Sequence, residues 1–406
     1  MLTTLIYRSL VNPGLRQACI QTLVQDALER NNAKHVTGIL LFDGAEFFQV
    51  LEGEETVVNA LFNRIKTDPR HSAVVLMMQD FSAYRRFNDT GMQLFDACSH
   101  PEESILNDIR SLSQFRGGYL QDDRIVRLAT QFLSQRRTQP APARFCPSSW
   151  HLEGREHFSL ADWPAAAPQQ SCQFALQPIV EALTGKVSSF EALIRSPSGG
   201  SPANMFASVP ADKLYDFDLE TKACAFSLGS RMLQAGEKLS VNLLPGVLCS
   251  VPGAVETLIA QIEAAGLRPE QIIIEVTETE AITDQDAFYQ ALKALRIAGT
   301  GFAIDDFGSG YSGLALLARF QPDKIKIDRA LIEGIHLSGV KQAIVRSIAR
   351  CCEELGITLV AEGVETLEEW CWLESIGIHL FQGFLFSRPI LNSVGEIEWP
   401  IGNRSV

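Results

Sequence analysis

Along the first hundred residues the apolar positions switch between strand-like runs and helical spacing. Leu2–Tyr7 reads as a strand. Asn12-Pro13 supplies an N-cap and a first-turn proline. Leu15, Cys19, Leu23, Ala27 and Leu28 then line one face of a helix ending near Arg30. Thr37–Phe42 and Glu46–Leu51 flank Asp43-Gly44, a hairpin signal. Thr56–Lys66 forms a second amphipathic helix, and Ala73–Gln79 a further strand. The order βαββαβ predicts an α+β, ferredoxin-like sheet backed by two helices. Helices are expected at 102–113 and 122–135. Pro140, Pro142, Pro147, Pro164 and Pro168 mark a linker. The expected layout is a first domain over 1–100, a helical extension and Pro/Ala-rich linker over 101–170, and a second domain over 171–406.

The second domain has another rhythm. Apolar runs end repeatedly in polar residues: Val187–Phe190 before Glu191, Leu239–Val241 before Asn242, and Ile272–Ile274 before Glu275. Phe302–Ile304 precedes Asp305-Asp306, Ile325 precedes Lys326, Ile357–Ala361 precedes Glu362, and His379–Phe381 precedes Gln382. Helical stretches separate them. Strand–helix repetition with functional side chains at the C-terminal strand ends predicts an α/β, TIM-type barrel rather than an open doubly wound sheet.

Charge sharpens this picture. Residues 1–140 carry 15 basic and 16 acidic side chains; residues 141–406 carry 20 and 32. The net charge of −13 leaves no electrostatic footprint for duplex nucleic acid or an anionic membrane. A phosphate handled here calls for positive charge from elsewhere, a metal first of all. The nine cysteines are scattered without a Cys-x-x-Cys pair, as expected of reduced thiols in a cytoplasmic protein. The N-terminus lacks the features of a signal peptide, and no apolar run has transmembrane length.

Carboxylates at equivalent strand ends repel one another unless cations lie between them. Glu191, Glu275, Asp305, Asp306 and Glu362, with Asn242, offer oxygen ligands alone, which suit Mg²⁺ or Mn²⁺. Adjacent Asp305 and Asp306 suit two ions, one residue bridging, and two metals about 4 Å apart form the usual clamp for attack on a phosphodiester. Lys326 is placed to position or deprotonate the attacking water, or to neutralise the phosphate. Gly308-Ser309-Gly310-Tyr311-Ser312-Gly313 matches a dinucleotide-binding fingerprint, with Asp328 downstream. We set that reading aside, because Asp305 and Asp306 aim charge where a pyrophosphate would lie. The glycines read better as a mobile loop carrying two ligands.

Eight motifs in order then resemble one family. Glu191-Ala192-Leu193-Ile194-Arg195 is the signature of the EAL-domain family, accompanied by Gln177-Pro178-Ile179-Val180, Val241-Asn242-Leu243-Leu244-Pro245 and Glu275-Val276-Thr277-Glu278. Asp305-Asp306-Phe307-Gly308-Ser309-Gly310-Tyr311, Lys326-Ile327-Asp328, Glu362-Gly363-Val364-Glu365 and Gln382-Gly383-Phe384 follow. The resemblance implies a modified TIM (β/α)8-type barrel that hydrolyses cyclic dimeric GMP to the linear dinucleotide. It implies metal ligation by Glu191, Asn242, Glu275, Asp305, Asp306 and Glu362, with chemistry falling to Lys326, Glu362 and Asp306. Substrate contacts fall to Gln177, Arg195, Glu365 and Gln382. Glu278 matches a residue that steadies the loop after Asp306, and Ser309 keeps the hydroxyl of the commoner threonine. Glu278 and this loop are the expected element that a signal biases.

The N-terminal half resembles the BLUF domain, a blue-light receptor using flavin. The resemblance rests on Tyr7 with Ser9, Asn31-Asn32, Thr37-Gly38, Phe48-Gln49-Val50-Leu51-Glu52-Gly53 and Thr90-Gly91-Met92. It implies FAD as cofactor, Gln49 between Tyr7 and the flavin ring, Asn31 and Asn32 at the ring edge, and Met92 on the switching strand. Thr90 stands where many members have tryptophan. Arg70-His71 is a candidate pair for the FAD phosphates. The whole reads as a light-regulated phosphodiesterase, expected as a homodimer. Two rivals remain: a catalytically idle cyclic dimeric GMP receptor that signals to a protein partner, and a flavin oxidoreductase.

Overall fold

The computed structural model describes residues 2–12, 17–82, 85–87, 91–112, 124–135, 150–154, 173–182, 184–196, 202–277, 284–310 and 313–399. The five linker prolines, Pro13, Leu15, Thr90, Glu278 and Tyr311 lie outside the described residues. Contacts divide the chain into two units. The first holds Met1–Trp150 with Gly334–Ser347 and Thr366–Gly377; the second holds His151–Glu333, Ile348–Glu365 and Ile378–Val406.

In the first unit, strands β1 (Leu2–Val11), β2 (Thr37–Phe42), β3 (Glu46–Glu54), β4 (His71–Ser82) and β5 (Gln93–Asp96) form one sheet, ordered β4-β1-β3-β2-β5. The first four strands have the ferredoxin-like arrangement. Helices α1 (Gln17–Asn32) and α2 (Glu55–Lys66) follow β1 and β3, and α3 (Glu102–Leu112) and α4 (Arg124–Gln135) follow the sheet. Residue alternation divides the faces. Leu5, Tyr7, Leu40 and Leu51 pack with Val58, Leu61 and Phe62 of α2, while Phe48 meets Phe132 of α4 on the opposite face. Sequence pattern missed β5: four residues are too few for a period, and parallel pairing with β2 creates the strand. β1 and β4 also run beyond the apolar runs that announced them, because antiparallel neighbours extend the ladder.

In the second unit, β6 (His151–Glu153) precedes a closed barrel of β7 (Gln173–Glu181), β8 (Lys186–Arg195), β9 (Lys238–Asn242), β10 (Ile272–Thr277), β11 (Gly301–Phe307), β12 (Lys324–Ile327), β13 (Thr358–Ala361) and β14 (Leu380–Phe381). Strands β8 to β14 run parallel; β7 is antiparallel to both neighbours and closes the ring. That reversed strand is the modification of the TIM arrangement. Glu191 lies within β8 rather than at its end, because pairing with β7 carries β8 on to Arg195. Phe190, Leu239, Ile274, Phe302 and Ile325 bury the barrel wall among the surrounding helices. No described helix is long and apolar enough to cross a membrane.

Candidate functional site

At the sheet of the first unit, Tyr7 and Gln49 face each other in register. Tyr7 Oη donates to Gln49 Oε1, and Gln49 Nε2 donates to Met92 Sδ at 3.2 Å. Burial raises the Tyr7 phenol above its ordinary pKa, so it stays a proton donor at neutral pH. Asn31 Nδ2 donates to the Gly91 carbonyl at 3.0 Å, tying the end of α1 to the residue before Met92. A Cβ at 91 would meet Asn32 Oδ1 at 2.1 Å and the Leu28 carbonyl oxygen at 2.9 Å, so a side chain there would force the end of α1 to shift.

Beside this pair is a cavity of about 160 Å³, lined by Arg30, Asn31, Gln49, Arg64, Arg70 and Met92 with aliphatic walls. Asp68 grips Arg70 through Nε at 2.8 Å and Nη2 at 2.5 Å, and that bond holds the Asp68 carboxyl down at about 2. His71 Nδ1 is 2.8 Å from Ser9 Oγ, and burial pushes its imidazole down to about 4. Apolar walls, the Asn31 amide and three guanidinium groups fit an amphipathic anion such as a flavin nucleotide. Asn32 is exposed and outside this lining. Sequence reasoning missed Arg30, Arg64 and Asp68, whose only signal was ordinary helix or turn polarity.

In the barrel, Lys326 Nζ sits among four carboxylates: Glu362 Oε1 at 2.6 Å, Glu275 Oε2 at 2.8 Å, Glu191 Oε2 at 3.0 Å and Asp305 Oδ1 at 3.1 Å. Strands β8, β10, β11 and β12 and the residue after β13 supply them. Two carboxylate triads are close enough to grip an ion, Glu191–Glu275–Asp305 and Asp305–Asp306–Glu362, and Asp305 belongs to both.

One ammonium cannot neutralise so many buried carboxylates. Burial pushes Glu275 up to about 7 and Asp306 up to about 6, with neighbouring carboxylates adding to each. Burial, with Asp305 beside it, raises Glu362 well above the carboxylate range. Burial likewise opposes charge on Glu191, but Lys326, Gln382 and Asn242 outweigh it and hold that carboxyl low. Burial opposes charge on Lys326 too, yet its four partners hold it well above the usual lysine value. Oxygen donors in excess of local positive charge fit hard divalent cations. Asp306 has φ of 53°, left-handed backbone that a non-glycine residue adopts at a cost of about 1–3 kcal/mol. This bend turns two successive carboxylates toward one site.

Neutral residues orient the carboxylates. Asn242 Nδ2 donates to Glu191 Oε1 at 2.7 Å, leaving its carbonyl oxygen for a cation. Gln382 Nε2 donates to Glu191 Oε2 at 2.8 Å and to Gln177 Oε1 at 3.0 Å. Gln177 Nε2 donates to the Ser387 carbonyl at 3.1 Å. Arg195 lines an adjoining cavity of about 350 Å³ with Asn242 and Glu275. Glu365 is exposed and 3.0 Å from Arg329, and Ser309 is exposed, its amide donating to the Asp306 carbonyl at 3.1 Å. The same cavity exposes a pair that sequence reasoning missed, Asp218 and Lys222, in contact at 2.5 Å. Their i,i+4 spacing looks like an ordinary helix-surface pair.

The chain matches the EAL domain family over residues 161–389, and the family of sensors of blue light using FAD, BLUF, over residues 2–93. It is 41% identical over 406 residues to the blue light- and temperature-regulated antirepressor BluF of Escherichia coli (strain K12), covering 98% of this chain and 99% of that protein. It is 30% identical over 242 residues to the probable cyclic di-GMP phosphodiesterase PdeN of the same organism, covering 55% of this chain and 45% of that one. Among solved structures, the manganese and cyclic di-GMP complex of Klebsiella pneumoniae BlrP1 at pH 6 is similar over 99% of this chain and all of that one, at 53% identity and a TM-score of 0.68. This chain belongs to the EAL-domain family and, through its N-terminal sheet, to the sensors of blue light using FAD.

Proposed function

We propose that the protein is a blue-light-regulated phosphodiesterase that hydrolyses cyclic dimeric GMP to linear pGpG. Its layout is a flavin domain over 1–100, an extension and linker over 101–170, and a phosphodiesterase domain over 171–406. The observation that carries the catalytic half is the pair of carboxylate triads sharing Asp305, with Lys326 between them. Glu191, Asn242, Glu275, Asp305, Asp306 and Glu362 hold two divalent cations, Mg²⁺ or Mn²⁺. When bound, these cations supply the positive charge that a phosphodiester and its attacking water require. Lys326 Nζ, held charged by its partners, orients the water and offsets charge on the phosphate. Gln177, Arg195 and Gln382 seat the substrate, Gln382 also fixing Glu191. Glu365 stands at the outer margin, paired with Arg329.

Gln49 carries the sensory half. Its amide accepts from Tyr7 and donates to Met92, so reversing it exchanges donor for acceptor toward both partners. FAD in the adjoining cavity supplies the light absorption. The test is direct: purify the protein with its flavin and measure hydrolysis of cyclic dimeric GMP with Mn²⁺ or Mg²⁺, in the dark and under blue light. Metal-dependent turnover that changes with light supports the proposal; none in either state removes it.

The antirepressor name of the full-length relative favours a second reading, a cyclic dimeric GMP receptor acting through a protein partner. Binding of the nucleotide without turnover in that assay selects it.

A further inference from the structure

Behind the Tyr7–Gln49 pair the sheet carries a second pair. One step along the β1–β3 ladder, Arg8 is in register with Phe48. Alternation turns both away from the Tyr7 face. Arg8 Nε and Nη2 lie 3.1 and 2.7 Å from Glu46 Oε2. Its guanidinium carbon lies 5.1 Å from the centre of the Phe132 ring on α4, and the Phe48 ring is 5.4 Å from that same ring. Arg8, Glu46, Phe48 and Phe132 are all buried, none above 3% exposed. A buried ion pair set against the apolar face of an amphipathic helix costs more than apolar packing would.

We propose that Arg8 is the positioning residue that makes α4 respond to the geometry of the strand pair carrying Tyr7 and Gln49. Arg8 and Phe48, which both meet Phe132, are backbone neighbours of the sensory pair, so a shift of β1 against β3 moves cation and ring together. The attraction of a desolvated cation for a ring face depends on its placement over the ring. Glu46, at the start of β3, fixes the guanidinium beside that ring through Nε and Nη2. Helix α4 is thereby tied to both strands through one side-chain cluster. This inference rests on the light-sensing reading above and names the part of the unit that reads the sensor's state.

The test is amide hydrogen exchange over residues 124–135 in the flavin-loaded full chain, dark and under steady blue light. The parent shows a light–dark difference in that helix. Arg8→Lys keeps an ion pair with Glu46 but loses the flat guanidinium. Phe132→Leu keeps an apolar side chain and loses the ring. In each, the difference in α4 falls to about a third or less of the parent's, while the flavin spectral shift on illumination is unchanged. Should Arg8→Lys misfold, Phe132→Leu decides alone. A difference in Phe132→Leu equal to the parent's overturns the coupling and leaves the light-sensing reading standing. A parent with no flavin spectral shift overturns both.

Discussion

Lys326 and Asp305 stand on adjacent parallel strands with Nζ and Oδ1 3.1 Å apart, and Asp305 is the carboxylate common to both candidate ion sites. One residue therefore faces the ammonium and two cation positions together. Asp305→Asn keeps the side chain's shape and removes the charge that would separate two bound ions. Turnover in Mn²⁺ is expected to fall by at least about a hundredfold. Metal titration followed by hydrolysis assay checks this, and parental turnover at ordinary metal concentration would count against two shared ions.

Gln49→Leu should retain flavin and lose the light response. Leucine neither accepts from Tyr7 nor donates to Met92. Dark hydrolysis should persist, since Gln49 is no part of the carboxylate cluster. The readouts are the flavin spectrum and the ratio of turnover in light and dark; a ratio equal to the parent's removes Gln49 from the mechanism.

Glu52 works on the other side of β3. Its buried carboxylate accepts from the Arg86 amide at 2.8 Å, the Phe87 amide at 3.1 Å and Thr4 Oγ1 at 3.2 Å. These bonds pin the segment that leads toward Met92. Glu52→Ala leaves those donors without their acceptor and should cost about 1–3 kcal/mol or more. A thermal melt should show a lower midpoint, with Glu52→Gln falling less because its amide oxygen still accepts.

Acid should weaken the first unit through His71. Its imidazole is held near pKa 4 by burial, against about 6.5 in an unfolded chain. Between these values the unfolded chain binds a proton that the folded one excludes. Stability is complete above pH 6.5 and declines toward pH 4, by at most about 3 kcal/mol. Denaturant midpoints across that range should fall with pH, and less steeply in His71→Gln. An identical slope in the variant would assign the decline to other groups.

Much of the candidate site was legible because its chemistry sits at repeated positions. Asn242, Glu275, Asp305, Lys326, Glu362 and Gln382 each end or follow an apolar run, and the structure brings them to one end of the barrel. Less legible was the partner of Glu365, Arg329, which no motif announces. The Asp218–Lys222 pair was missed because helix periodicity does not tell which face of a half-buried helix meets a cavity. Hydrophobic pattern missed strand β5 because its partner supplies its order, although the BLUF resemblance places a switching strand at Met92.

What the sequence determined by itself is local: which segments become most of the strands and helices, and which side chain ends or follows each apolar run. Backbone alternation and helix spacing dictate these within a few residues. Only the tertiary structure decided which ends meet. Gln382 reaches Gln177 across 205 residues because antiparallel β7 closes the ring against β14. Lys326 finds four carboxylates because parallel strands set their ends at one level. Arg8 finds Phe132 because α4 lies across the face that Tyr7 leaves free. Such meetings depend on register and closure, which arise from hydrogen bonds between distant segments and leave no period in the chain.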